Sequence, residues 1–239
     1  RTVGSIALRE RGGLLVAMQD GLHFLDPSSG ALAAAVDPED ALPDNRFNDG
    51  RCDRSGRFWA GTMSLHRERE RGALYRLDPD GTVTCHLSGV TTSNGIDWSA
   101  DQRRMYYVDT GHPRIDVFDF DVDAGTIANR RSFVTIDPAE GKPDGLVVDA
   151  EDHVWLALWR GGRVIRFAPD GTRVATIDLP SPLTTKPAFG GEDLRDLYVT
   201  SARESLSAEE LATWPDAGGL FRLRLTVAGR PPQCFGLSR

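Results

Sequence analysis

Five times along the 239-residue chain the same two short patterns return in the same order. The first is a β-rich run after a polar turn: LLVAM at 14–18, RFWAG at 57–61, MYYVD at 105–109, VWLAL at 154–158 and LYVTS at 197–201. The second follows each one: GLHFLDPSSG at 21–30, GALYRLDPDG at 72–81, RIDVFDFDVDAG at 114–125, GRVIRFAPDG at 162–171 and GLFRLRLTVAG at 219–229. From Trp59 to Tyr107 to Trp155 the step is 48 residues each time. A unit of this length cannot bury its apolar face alone, so successive units must stack on one another.

Within a unit the order is strand, turn, strand, turn, strand. The runs carry Val, Ile, Tyr, Trp and Phe in rough alternation, as half-buried strands do. Asp-Pro-Asp-Gly at 78–81 and Pro-Asp-Gly at 169–171 place Gly where a turn needs positive φ. One helix is predicted from Ser207, with Ser207 and Glu210 as a capping box and Pro215, Gly218 and Gly219 as its stop. Repeats of ~40–50 residues with four strands are propeller blades. A sandwich also spaces its strands evenly, but it does not require two patterns to recur in one order. The chain therefore reads as a single all-β propeller domain over 1–239, in four-stranded antiparallel blades.

The formal net charge of −7 argues against nucleic-acid binding, which needs a basic face. The run from His66 to Arg71 alternates in sign and reads as a solvated loop. Cys52, Cys85 and Cys234 are odd in number and far apart, giving neither a zinc pair nor a disulfide framework. No apolar run approaches the ~18 residues of a membrane span. A cytoplasmic protein without a membrane partner, monomeric or weakly dimeric, is the simplest expectation.

A polar residue followed by Gly recurs before the first pattern in three units: Asp49-Gly50, Asn94-Gly95 and Asp144-Gly145. Any one such pair is explained by a plain turn; three at one apparent register point to a shared site. Two carboxylates and an amide converging are costly unless a cation or hydrogen bonds satisfy them. All are hard oxygen donors, suited to Ca²⁺, Mg²⁺ or Mn²⁺ and less obviously to Zn²⁺. Arg46 and Asn48, just before the first pair, supply a fixed fork of donors and a donor–acceptor amide, a combination suited to a polyol. The fifth unit offers only Phe189-Gly190-Gly191 at this point. No nucleophile elbow, zinc-protease helix or phosphate loop is present. The five histidines lack ligand spacing and are expected at the surface.

RFNDGRCDRSGRFWAGTM at 46–63, SNGIDWSADQRRMYYVD at 93–109, PDGLVVDAEDHVWLALWRGGRVIR at 143–166 and FGGEDLRDLYVTSAR at 189–203 resemble one family. It is the senescence marker protein (regucalcin), gluconolactonase and luciferin-regenerating-enzyme family. The resemblance implies a six-bladed propeller with one divalent metal ion (Ca, Zn, Mn or Mg) that hydrolyses a sugar lactone. It implies Asn94 and Asp144 as metal ligands, and Asp144 as general base. Arg46 and Asn48 are implied to contact substrate, with Asp49 close to the metal and counted with them. Family members begin with a Gly-Glu-x-Pro-x-Trp blade that supplies a third ligand. No such motif occurs here, so roughly the first of six blades is expected to be missing. Also compatible are a calcium-binding regulatory protein without turnover and a metal-dependent organophosphate or aryl-ester hydrolase.

Overall fold

The computed structural model describes residues 2–236. Among these described residues nineteen strands follow one another in chain order. The first sheet comprises β1 (Val3–Leu8), β2 (Leu14–Met18), β3 (Gly21–Leu25) and β4 (Leu32–Val36). The second comprises β5 (Asn45–Cys52), β6 (Phe58–Ser64), β7 (Gly72–Leu77) and β8 (Val83–Val90). The third comprises β9 (Ser93–Trp98), β10 (Arg104–Asp109), β11 (Arg114–Asp121) and β12 (Thr126–Thr135). The fourth comprises β13 (Lys142–Val148), β14 (Val154–Trp159), β15 (Arg163–Phe167) and β16 (Arg173–Asp178). The fifth comprises β17 (Thr184–Gly190), β18 (Asp196–Ser201) and β19 (Leu220–Arg224). In every sheet, strands adjacent in sequence are neighbours in space, the meander expected of a propeller blade.

The expectation of six blades is corrected: the described residues form five, four of four strands and a last one of three. Six came from the resemblance alone. Five repeats supply strands for five sheets, and β1 already serves as the first strand of a four-stranded blade.

Burial follows the order within each blade. In the fourth, β14 is buried along nearly its whole length (VWLALW), whereas β16 (RVATID) alternates between exposed and half-buried. Continuous apolar runs therefore mark second strands, and Ala, Thr and Arg mark fourth strands. The turn glycines behave as the sequence requires: Gly81 has φ 92° and Gly171 φ 88°. The helix forms as α1 (Ala208–Thr213), with both reciprocal bonds of its Ser207–Glu210 capping box in place.

The chain divides into two compact units. The first holds the described residues up to Asn94, with Asp119–Asn129 and those from Pro232. Its core gathers Leu15, Phe47, Cys52, Phe58, Ala60 and Phe235. Phe235 is drawn in from the far end of the sequence: its N–H donates to Leu8 O at 2.8 Å and its carbonyl accepts from Glu10 N at 3.0 Å. Burying such a ring contributes about 1.5–3 kcal/mol. The second unit is Gly95–Phe118 with Arg130–Pro231. One of its clusters packs Tyr106, Leu146, Leu156 and Ile165, and another packs Trp155, Leu197 and Val199.

One polar device recurs in both units. In the first, Asp53 is fully buried, and its Oδ1 accepts from Ser55 N at 2.9 Å and Arg57 N at 3.1 Å. Its Oδ2 accepts from Arg57 Nε at 2.7 Å and Trp59 Nε1 at 2.9 Å. In the second, Asp149 Oδ1 accepts from Glu151 N and His153 N, each at 2.9 Å. Asp149 Oδ2 accepts from Trp155 Nε1 and Arg166 Nε, each also at 2.9 Å. A carboxylate so satisfied can be buried, and it locks the β5–β6 or β13–β14 turn to the tryptophan at the blade's centre.

All three cysteines are free thiols; burial pushes the Cys52 thiol well above its ordinary range. His66 to Arg71 are exposed, as expected. The histidines are less uniform than the sequence suggested, because His23 is buried in β3 and His86 half-buried in β8. Among the described residues no helix is long and apolar enough to cross a membrane.

Candidate functional site

The first strand of a blade carries an irregularity that the sequence does not announce. In β5, Phe47 pairs with Thr62 and Gly50 with Ala60, so Asn48 and Asp49 together face a single residue of β6. In β13, Pro143 pairs with Leu158 and Leu146 with Leu156, leaving Asp144 and Gly145 in the same situation. Register shifts also occur at Gly4 in β1 and at Thr185 in β17. These are β-bulges, which turn a side chain out of the regular alternation and are common beside active sites.

Counting from the paired residues corrects the sequence register by one. Asn48, not Asp49, is the counterpart of Asp144, and Asp49 is the counterpart of Gly145. In β17 the counterpart is Thr185. The Phe189-Gly190-Gly191 segment considered from sequence lies at the opposite end of the strand, where Phe189 pairs with Leu197 and Gly190 with Asp196. Thr185 was missed, although counting back from the partner of Tyr198 would have found it. Its Oγ1 lies 2.7 Å from Thr200 Oγ1.

In the first unit the structure brings three of the expected residues together. Half-buried Arg46 donates through Nη1 to Phe47 O at 2.9 Å and to Asn48 Oδ1 at 2.8 Å. Asn48 in turn donates through Nδ2 to Ser93 O at 2.7 Å and to Asn94 Oδ1 at 2.9 Å. Asn94 is buried in β9. Asp49 is also buried, and its Oδ1 accepts from Gly50 N at 2.7 Å.

In the second unit Asp144 stands half-buried in the bulge of β13. The preceding Pro143 is fixed by Thr110, whose Oγ1 donates to Pro143 O at 2.7 Å. The glycines of the polar-Gly pairs are there for close approach. A Cβ on Gly95 would lie 2.6 Å from Leu146 N and 2.8 Å from Asp144 O, and one on Gly145 would lie 2.7 Å from Thr185 O. Backbone meets backbone at these points, so no side chain fits.

Among the described residues no three His, Cys, Asp or Glu side chains gather as a metal-binding group. The oxygen donors expected from sequence are the Asn94 amide, in the first unit, and the Asp144 carboxylate, in the second. Asn94 Oδ1 accepts an N–H from Asn48 at 2.9 Å. One amide and one carboxylate fit, in kind, a hard divalent ion that keeps water in its shell.

The family described as an SMP-30/Gluconolactonase/LRE-like region matches residues 1–203. Regucalcin of Oryctolagus cuniculus is 40% identical over 240 residues, covering 98% of this chain and 80% of that protein. The crystal structure of a calcium-binding protein, regucalcin, from Agrobacterium tumefaciens superimposes with a TM-score of 0.94 at 35% identity, over 98% of this chain and 80% of that one. A luciferin-regenerating enzyme superimposes with a TM-score of 0.92 at 31% identity, over 99% of this chain and 82% of the other.

Proposed function

Because this chain belongs to the SMP-30/gluconolactonase/LRE-like family, we propose that it hydrolyses a sugar lactone to the aldonic acid with the help of a divalent metal ion. The observation that carries the reading is the bulge of β13, which sets a half-buried carboxylate, Asp144, off the regular strand.

In this mechanism Asn94 and Asp144 supply oxygen ligands to the ion. When bound, the ion polarises the lactone carbonyl and stabilises the negative charge that develops on its oxygen. Asp144 takes the proton of the attacking water as the water oxygen bonds to the carbonyl carbon. The ring C–O bond then breaks, and the proton passes from Asp144 to the departing alkoxide oxygen. Such general-base work is commonly worth ~10²–10⁴-fold. Arg46 and Asn48, with Asp49 counted beside them, orient the sugar hydroxyls so that water and carbonyl meet in line.

The test is a pH-stat assay of a panel of aldonolactones, with paraoxon and phenyl acetate alongside, after chelation and after adding back Ca²⁺, Mg²⁺, Mn²⁺ or Zn²⁺. Metal-restored acid release from aldonolactones is expected. Turnover of only the aryl substrates would replace the proposed substrate class. The calcium-binding protein among its structural neighbours favours one second reading: calcium binding without turnover, in which case calcium binds and no substrate in the panel is consumed.

A further inference from the structure

We propose that Thr185 contacts the substrate and selects lactones that carry a hydroxyl on the carbon next to the carbonyl. For the reaction itself this role rests on the lactonase reading above. Thr185 takes in β17 the place that Asp144 takes in β13, the first residue of a bulge. The two bulges are held side by side within the second unit. Ahead of them Leu158 ties the strands together: it pairs with Pro143, and its carbonyl accepts from Thr184 Oγ1 at 2.7 Å. Past them the main chains touch, since a Cβ on Gly145 would lie 2.7 Å from Thr185 O. A threonine side chain is short, so its hydroxyl stays in the neighbourhood of Asp144.

What that hydroxyl can bind follows from its hydrogen-bonding capacity. A hydroxyl has one donor and two lone pairs. Half-buried Thr185 uses its Oγ1 in one hydrogen bond, at 2.7 Å to Thr200 Oγ1. Thr200 Oγ1 also accepts from Lys186 N at 3.2 Å and can donate to Lys186 O at 3.3 Å. When Thr200 donates there, Thr185 gives its proton to Thr200 and keeps two lone pairs for a partner. When Thr200 turns its proton to Thr185, Thr185 keeps its own proton and one lone pair. A carbonyl or carboxylate oxygen only accepts, so it fits the second arrangement alone. A hydroxyl donates and accepts, and it fits both. Reach then decides which hydroxyl. The reaction brings the lactone carbonyl to Asp144, and a short side chain beside Asp144 meets the hydroxyl on the adjoining carbon before those farther round the ring.

The test pairs an aldonolactone with its 2-deoxy counterpart and reads the ratio of their kcat/KM values. Thr185→Val keeps the shape without the hydroxyl, Thr185→Ala cannot clash, and Thr185→Ser puts the hydroxyl back. In the Val and Ala variants the preference for the hydroxylated lactone should shrink about 3- to 10-fold, as expected for the loss of one neutral hydrogen bond. Thr185→Ser should keep most of the wild-type preference, and melting temperatures should stay close to wild type. An unchanged ratio with undiminished activity would overturn the proposal and leave Thr185 as half of a cross-strand pair with Thr200. Equal losses on both lactones would overturn it as well. With an unchanged melting temperature they would place Thr185 on the attacking water, and with a collapsed one they would make it structural. If wild type consumes neither lactone, the lactonase reading falls and takes this one with it; if wild type consumes them and the ratio does not move, this one falls alone.

Discussion

The second and fourth blades are built on one plan and differ where it matters for chemistry. Each has a bulge in its first strand and a buried aspartate that clamps a tryptophan six residues later. At the bulge, the second blade carries Asn48, whose hydrogen bonds turn inward to Arg46, Ser93 and Asn94. The fourth carries Asp144 at the same register, a group that can take a proton and bear a charge. The frame is repeated and the residue on it is changed. Function in such a fold is therefore a matter of which side chain a bulge displays.

The clamps also differ, in a way that stability should report. Asp53 is paired with Arg57, which is buried and tied as well to Val122 O at 2.7 Å. Asp149 is paired with Arg166, whose Nη2 also lies 2.7 Å from Glu151 Oε2 at the surface. Removing Asp53 strands a cation with carbonyls only, and removing Asp149 leaves Arg166 a second carboxylate. Asp53→Ala should cost about 3–5 kcal/mol, the usual range for breaking a buried pair. Asp149→Ala should cost noticeably less, about 2–3 kcal/mol. Urea unfolding of both variants would test the ranking, and equal losses would mean that Glu151 gives Arg166 no alternative.

The two bulges should separate by kinetics. Asp144→Asn makes the fourth blade's bulge residue the same as the second's, keeping shape and removing the base. A loss in kcat of at least ~10²-fold is expected; activity within a few-fold of wild type would remove Asp144 from the mechanism. On the second blade, Arg46→Ala should act mainly on KM, lowering kcat/KM by roughly 10- to 150-fold, the equivalent of ~1.5–3 kcal/mol for a charged donor. Unchanged kinetics in a folded variant would leave Arg46 a purely structural role.

Sequence made the frame legible and left the display partly hidden. Repeats, turn glycines and the capping box at Ser207 each rest on local chemistry, and each appears where it was expected. A bulge is decided by the partner strand. Asp49-Gly50 and Asp144-Gly145 look equivalent as dipeptides, yet Gly50 pairs with Ala60 while Gly145 sits inside the bulge. A one-residue change of register moves a side chain to the other face, so Asp49 was aligned with the wrong neighbour and Thr185 was passed over. The clamps were readable and overlooked: both show Asp, then Trp six positions on, in DRSGRFW and DAEDHVW. A buried carboxylate is predictable there because the turn N–H groups and the indole N–H need an acceptor.

The surroundings of the two clamped tryptophans give the mildest test. Trp155 meets Phe189 edge-on, with ring centroids 6.2 Å apart. Trp59 meets His86, with centroids 4.4 Å apart, and His86 Nε2 is buried without a hydrogen-bond partner. Burial, helped by the cations Arg76 and Arg57 and opposed by Asp78, holds the His86 pKa down at about 4. In the unfolded chain that imidazole titrates near ~6.5. The unfolded state therefore binds more protons between these values, and the folded state loses stability as pH falls from about 6.5 towards about 4. The contribution is fully present above the upper value. Because the ring is only half-buried, solvent screening reduces the effect to on the order of 1–2 kcal/mol. His86→Phe places beside Trp59 the kind of ring that Trp155 already meets in Phe189. Its melting temperature should fall less than that of wild type between pH 6.5 and pH 4, while the two respond alike above neutrality. Parallel pH profiles for the two proteins would show that acid acts elsewhere in the molecule and that the His86–Trp59 contact carries no proton-linked stability.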